Sequence, residues 1–361
     1  MRNSIRVFAA AALGTAIFAP AALAQDMTTA TFNGTTIYIG GGFQYLSLPD
    51  IKFTGRGNVG MGPEITNFQR EKNSQFGEYG GGAGAGIETA LGYWGGSRVT
   101  VGVKGFWTAL DHDTRTRCHA PTCIVVDPTG NAFDFGPPTL VNHTEREVDY
   151  WGGSVEMKFG HGQPMHTKPN VYRNDYFIIG ADVRGIDQDI KMHGVFEGSS
   201  IYGLKETIDT TYVGGYVGFG GEYSFGFIPF VGQAVKGVGG IYDRLGLRTF
   251  LNVRAGLYNA DTDYDGRFAF GLLPFDSRLT KSSDELAFIG TVSLETRKQI
   301  GQRTSLSLWT DYEYISSVPK LRYADYGGTT RIDDDWAWGS RTMLRLNIGL
   351  GSTQLYEDPL K

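Results

Sequence analysis

The chain has 361 residues, a formal charge of −5, 41% hydrophobic residues, and 52 Gly, 22 Phe, 19 Tyr and 6 Trp. Hydrophobicity this low excludes a helical membrane protein, and the acidic balance argues against a nucleic-acid partner. Abundant glycine and aromatic residues suit strands that keep one face polar.

At the start, Arg2 and Arg6 form a basic n-region, residues 7–18 are apolar, and Ala22-Leu23-Ala24 carries the small-x-small cleavage pattern. The apolar run is shorter than the roughly 20 residues a spanning helix needs. The expectation is a cleaved signal peptide over 1–24 and a single mature domain over 25–361. Losing Arg2 and Arg6 takes the charge of −5 to −7.

Period-two alternation then recurs along the chain. In 97–109, Val99, Val101, Val103, Gly105 and Trp107 share one side, while Arg98, Thr100, Lys104 and Thr108 share the other; Phe106 is the exception. Strands are expected at 35–48, 78–94, 97–109, 145–159, 175–187, 208–224, 245–259, 284–297, 304–316 and 341–356. Each is long enough for the roughly 9–11 residues of a tilted membrane-spanning strand.

Connections alternate in length. Those at 49–77, 110–144, 188–207, 260–283 and 318–340 are long, whereas Gly95-Gly96 and 299–303 are tight. Single-chain bacterial barrels are built this way, with short turns periplasmic and long loops outside. Residues 160–174 read as a longer turn. The apolar, Gly-rich segment 225–244 leaves room for a further hairpin, so ten strands have twelve as their alternative. Cys118 and Cys123 sit close together in a polar loop of an exported chain, which suggests one local disulfide, with two free thiols as the alternative.

Aromatics on the apolar face fall at strand ends. Tyr93, Phe159, Tyr223 and Tyr356 lie at one end; Tyr45, Trp107, Trp151, Tyr312 and Tyr314 lie toward the other. Two belts are expected where amphipathic rings settle at lipid headgroups, and a soluble β-sandwich has no such requirement.

With its export signal, alternating strands, glycine-rich stretch Gly80-Gly81-Gly82-Ala83-Gly84-Ala85-Gly86 and final strand Met343-Leu344-Arg345-Leu346-Asn347-Ile348-Gly349-Leu350, the chain resembles the outer-membrane β-barrel, porin-like class of Gram-negative envelope proteins. The resemblance implies an all-β, antiparallel up-and-down transmembrane barrel in the outer membrane, with periplasmic termini. It also implies outer-membrane lipid and lipopolysaccharide as surroundings. Such chains usually end on an aromatic residue; here Glu357-Asp358-Pro359-Leu360-Lys361 follows Tyr356.

Polar parity assigns Lys104, Glu156, Asp182, Arg184, Glu222, Arg248, Arg254, Glu285, Glu295, Asp311, Glu313 and Arg345 to the lumen. Gln44, Glu88, Lys158, Asn252, Arg297 and Asn347 join them. Charges inside a barrel must be hydrated or paired, so these side chains either line a narrow wet pore or form a salt-bridged plug. Ten strands lie near the filled end of the size range, while Gly40, Gly42, Gly86, Gly152, Gly214 and Gly218 on the inward parity would clear space.

Enzymatic signals are sparse. The glycines at 80–86 lack the Lys-Ser/Thr and the helix of a phosphate loop, and no Gly-x-Ser-x-Gly elbow occurs. Asp111-His112-Asp113 with His119, and Asp333-Asp334-Asp335, lie where omptin proteases place acidic and His groups. His143 with Thr144, and His193 with Ser199, are the only pairings of the kind small barrel lipid A deacylases use. The expectation is no enzyme, no cofactor and no metal. A narrow porin-like channel for small solutes or ions comes first, ahead of loop-mediated surface binding or a structural envelope role; a rim hydrolase is weaker, and monomer is the default state.

Overall fold

Where lipid replaces water, every backbone N–H and C=O needs an internal partner, and a sheet meets that need only by closing on itself. The structure is a computed structural model and describes residues 30–32, 34–51, 54–59, 65–70, 77–117, 123–130, 132–134, 140–161, 165–168, 171–196, 198–224, 247–271, 276–322, 330–350 and 353–355. Ten strands form the wall: β1 Thr35–Ser47, β2 Glu78–Trp94, β3 Ser97–Arg117, β4 Val141–His161, β5 Val171–Phe196, β6 Ser199–Ser224, β7 Leu247–Phe270, β8 Asp276–Gln299, β9 Thr304–Arg322 and β10 Arg331–Leu350. Each pairs antiparallel with its successor, and β10 pairs with β1 from Trp338↔Ser47 to Leu350↔Thr35, closing the ring. Segment 225–244, the basis of a twelve-strand alternative, lies outside the described residues, as do 1–24 and Tyr356; the ring closes on ten strands without them.

At one end of the barrel, here the turn end, Gly95 (φ +58°) and Gly96 (φ +83°) make the β2–β3 turn. Both central residues have positive φ, the backbone of a two-residue hairpin turn that glycine alone adopts without strain. Ala30–Phe32 pairs with Thr353–Leu355, joining the two ends of the described chain.

The outward face carries a continuous apolar band. Ile39, Phe43, Ile87, Val103, Val155, Phe177, Ile179, Val213, Val217, Phe219, Leu257, Leu286, Phe288, Val292, Leu308, Leu344 and Leu346 are all exposed on it. Tyr93 and Trp94 mark its turn end, with Trp94 6.2 Å from Phe159. The opposite, loop end carries Trp107 directly across from Trp151, Tyr312, Tyr314, Trp336, and a cluster in which Tyr45 lies 4.8 Å from Tyr79 and 4.9 Å from Trp338. Two belts bound a band of the kind a bilayer requires.

The wall does not stop at the second belt. β5 and β6 each have 26 residues, and β7 and β8 each have 24. At about 3.3 Å per residue and a tilt near 40°, they reach roughly 60 Å along the barrel axis, against an apolar band about 25 Å tall. Three of the expected long loops are therefore largely ladder. Residues 188–207 pair from Gln188↔Ile208 to Phe196↔Ser199, 260–283 pair through Ala269↔Asp276, and 318–340 pair through Arg322↔Arg331. Their apolar alternation reverses phase because both wall faces change environment beyond the lipid. On the outside, Asp149, Asp187, Asp209 and Asp263 stand directly abreast on β4, β5, β6 and β7.

The other two long connections build a cap. Ile65–Arg70, Thr54–Val59, Cys123–Val126 and Ala132–Asp134 form an antiparallel four-stranded sheet in that order. Buried Cys123, Ile124, Val125 and Val126 pack on Ile190, Met192, Tyr202, Leu204, Ile208, Tyr264 and Phe268 from the inner wall of the extension. Buried Asp127 fastens the cap to β8, accepting a 2.9 Å hydrogen bond from Ser277.

Val217 is half exposed in the middle of the β6 band. Val217→Arg is expected to destabilise the folded barrel by roughly 2–4 kcal/mol, the cost of a guanidinium near the bilayer midplane. Thr207→Arg, beyond the band on the same strand, should cost little. Urea unfolding of the vesicle-inserted protein measures both.

Candidate functional site

The charged residues of the wall interior meet one another across a narrow ring. At the turn end Arg248 pairs with Glu222 at 3.0 Å and Arg297 with Glu295 at 2.9 Å. Deeper, Glu156 gathers Lys104 at 2.7 Å, Arg254 at 3.4 Å and Lys158 at 3.6 Å, and accepts a 3.0 Å hydrogen bond from the Tyr216 hydroxyl. Lys158 also pairs with Glu88. Arg184 is held by Asp182 at 2.8 Å and by Glu313, which also accepts from the Tyr150 hydroxyl. Arg341 pairs with Asp311 at 3.0 Å. Arg345 lies over two aromatic rings instead, its guanidinium 3.6 Å from the Trp309 centroid and 4.6 Å from that of Tyr38. Among the twelve charged positions assigned to the lumen, Glu285 stands apart: it follows the same parity but is exposed.

The inward glycines clear space that neighbouring strands then fill. A Cβ on Gly86 would lie 2.5 Å from the Tyr38 ring, one on Gly152 2.6 Å from Phe106, and one on Gly214 2.7 Å from Tyr258. Gly40 and Gly218 are occupied in the same way by the stems of Arg345 and Arg254. Phe106, the exception in the β3 alternation, is thus an inward ring over Gly152; it meets Tyr150 edge-on at 5.0 Å and carries the Arg341 guanidinium 3.6 Å from its centroid.

On the loop side of this network the interior turns apolar. Leu46, Leu110, Val148, Tyr150, Ile186, Tyr212, Tyr258, Ala260, Ala287, Ile289, Ile315 and Ala337 form one buried cluster, to which every strand except β2 contributes. Beyond it Arg146 pairs with Glu78 at 2.9 Å, donates to the Pro49 carbonyl at 3.1 Å and reaches Gln188. The cap core follows. A cavity of about 40 Å³ lies at the turn end among Arg248, Arg297, Arg303 and Asn347, and one of about 10 Å³ lies under the cap beside Arg146 and Glu206. A water molecule needs about 10–15 Å³ of such space.

Sequence reading missed Arg146, Glu78 and Arg341. Arg341 was recoverable because it shares the parity of Arg345. Arg146 and Glu78, inside the expected strands at 145–159 and 78–94, were recoverable in the same way, since they share the parity of Glu156 and Glu88. Asp111-His112-Asp113 does not converge: the two aspartates face outward while His112 points inward and is hydrogen-bonded to Thr114 at 2.7 Å. Asp333 pairs with Arg322 and Asp335 with Lys320. His143 and Thr144 face opposite sides of the wall, and His193 lies away from Ser199; but His143 and His193 face each other across β4 and β5. His119 and Cys118 lie outside the described residues.

The Glu156 node allows a direct measurement. Glu156→Leu leaves Lys104 and Arg254 without their carboxylate and is expected to cost roughly 3–5 kcal/mol. Glu88→Gln, at a carboxylate 41% exposed, should cost less than about 1 kcal/mol. Denaturant midpoints in detergent, read by loss of heat-modifiable gel migration, separate the two.

No protein-family model matches the chain, and no curated protein does. Among solved structures it is similar to the outer membrane protease OmpT from Escherichia coli, at 9% identity over 90% of this chain and 99% of that one, with a TM-score of 0.39. It is also similar to a FadL homologue from Pseudomonas aeruginosa (8% identity, 88% and 91% covered, TM-score 0.26) and to the toluene transporter TodX from Pseudomonas putida (8%, 89% and 90%, 0.32). A protease stands among these similar structures, so the expectation that the chain is not an enzyme is withdrawn: the fold houses catalysis as well as transport and decides neither. The closed ring and its apolar outward band make this chain an all-β transmembrane barrel of ten antiparallel strands.

Proposed function

We propose that this protein is an outer-membrane barrel closed across its lumen at rest, which works at its loop end as a surface-binding module. The transverse apolar layer from Leu46 to Ala337, drawn from every strand but β2, carries this reading. An aqueous path for ions would have to cross that layer and then separate the ion pairs of Glu156 and Arg184. Mixed charges at this depth act as a salt-bridged plug.

The strand-built extension and its cap then present a rigid rim. Tyr314 and Trp336 stack at 6.4 Å in the belt below that rim, and the β9–β10 connection beyond them carries Tyr323, Asp325 and Tyr326, side chains suited to recognition. In this reading residues 1–24 are removed on export, the turn end and termini are periplasmic, the rim faces outward, and a Cys118–Cys123 disulfide tightens the cap.

Planar-bilayer recording of the refolded protein is expected to stay silent at several voltages. Discrete steps from the unmodified protein would restore the narrow-channel reading, with small solutes or ions as its cargo. Deleting 323–329 is expected to abolish attachment to a glycan and matrix-protein panel while leaving heat-modifiable migration unchanged.

A further inference from the structure

His143 and His193 are direct cross-strand partners on the outward face of β4 and β5, in the extension beyond the lipid band. Their rings lie parallel within 5°, with centroids 4.9 Å apart. Both are partly exposed, so a solute reaches them from the side. Two charged imidazoles would repel at this spacing. A neutral imidazole keeps an sp² lone pair free.

The surroundings carry charges of both signs. Arg115 on β3 is the cross-strand neighbour of His143 on its other side. Glu145 stands two residues along the same face of β4, flanked by Asp113 on β3 and Lys191 on β5. Lys191 itself pairs with Glu147 at 3.3 Å. Asp113, Glu145 and Glu147 thus share this face with Arg115, Arg117, Lys191 and Lys205, and Glu145 is the carboxylate nearest to the rings along the strand.

We infer that His143 and His193 form a chelating pair for a divalent transition-metal cation of the zinc, copper or nickel class on the outer wall of the barrel. Imidazole nitrogen is the ligand these metals favour. Metal–nitrogen bonds of about 2.0–2.1 Å in a tetrahedral arrangement set the two nitrogens about 3.3 Å apart. Side-chain rotation brings the edges of two facing rings to that separation without moving the sheet, because the backbone ladder holds both Cα positions. Water completes the coordination, and the Glu145 carboxylate adds its charge from along the strand. Protons compete for the same lone pairs, so acid releases the metal. The site needs neither an open nor a closed lumen and stands apart from the surface-binding proposal.

Calorimetric titration of the folded, detergent-solubilised protein with Zn²⁺ at pH 7.5 tests this. One cation per chain is expected, with binding weakened at least about tenfold in His143→Gln and in His193→Gln, and lost at pH 5. Glu145→Gln should weaken binding several-fold, Arg115→Gln should tighten it, and His112→Gln should leave it unchanged. In the unmodified protein Zn²⁺ should shield His143 and His193, but not His112, from diethyl pyrocarbonate, as mapped by mass spectrometry. Equal binding by His143→Gln and the parent, or unshielded rings in the parent at saturating Zn²⁺, overturns the inference.

Discussion

Backbone hydrogen bonding without water is the constraint from which the rest of this structure follows. An open sheet would leave a row of bare amide and carbonyl groups in hydrocarbon, at a cost of several kcal/mol for each group. The β10–β1 ladder removes that edge. Closure gives every strand one face toward lipid and one toward a shared interior. With ten strands the interior is narrow enough for side chains of opposite walls to touch.

That narrowness decides how the interior charges are handled. A carboxylate moved out of water loses several kcal/mol of solvation, and only close, hydrogen-bonded partners restore it. Glu156 has three cations and a tyrosine hydroxyl around it, and Arg184 has two carboxylates. Glycine and aromatic positions are complementary parts of the same packing. The wall gives up a side chain at Gly86, Gly152 or Gly214, and the ring of Tyr38, Phe106 or Tyr258 lies in the vacated space. The lumen is thereby filled from its own wall, without an inserted helix or a separate plug domain among the described residues.

Strand parity was readable from sequence alone because a side chain's face follows from whether its position is odd or even. The strand count followed from the same signal. Three things were not readable. Glycine looked like open space because its occupant sits on the neighbouring strand, and register is invisible in one sequence. The cap joins Thr54–Val59 to Cys123–Val126, segments separated by two full wall strands. The facing of His143 and His193 depends on β4 and β5 remaining paired beyond the expected strand ends at 145 and 187. All three turn on contacts distant in sequence, whereas parity is local.

The misread loops have a more specific cause, visible along β5. Its lipid-facing apolar residues occupy odd positions at Phe177, Ile179, Ala181 and Val183, with Ile178, Asp182 and Arg184 inward. From Ile186 the apolar residues move to even positions, Ile186, Ile190 and Met192, facing the interior core, while Asp187, Asp189 and Lys191 face out. The β5–β6 register runs unbroken from Arg173↔Tyr223 to Gly194↔Tyr202, so no bulge or slip causes the change. The hydrophobic phase reverses because the solvent does: below the reversal the apolar side must meet lipid, and above it the apolar side must avoid water. One strand is therefore built as a membrane wall for half its length and as a soluble β-barrel for the rest. A reading that follows one phase of alternation sees the strand end where only its surroundings have changed. The reversal between Val183 and Ile186 places the edge of the lipid band on β5, close to the Trp151 ring packed over Gly185.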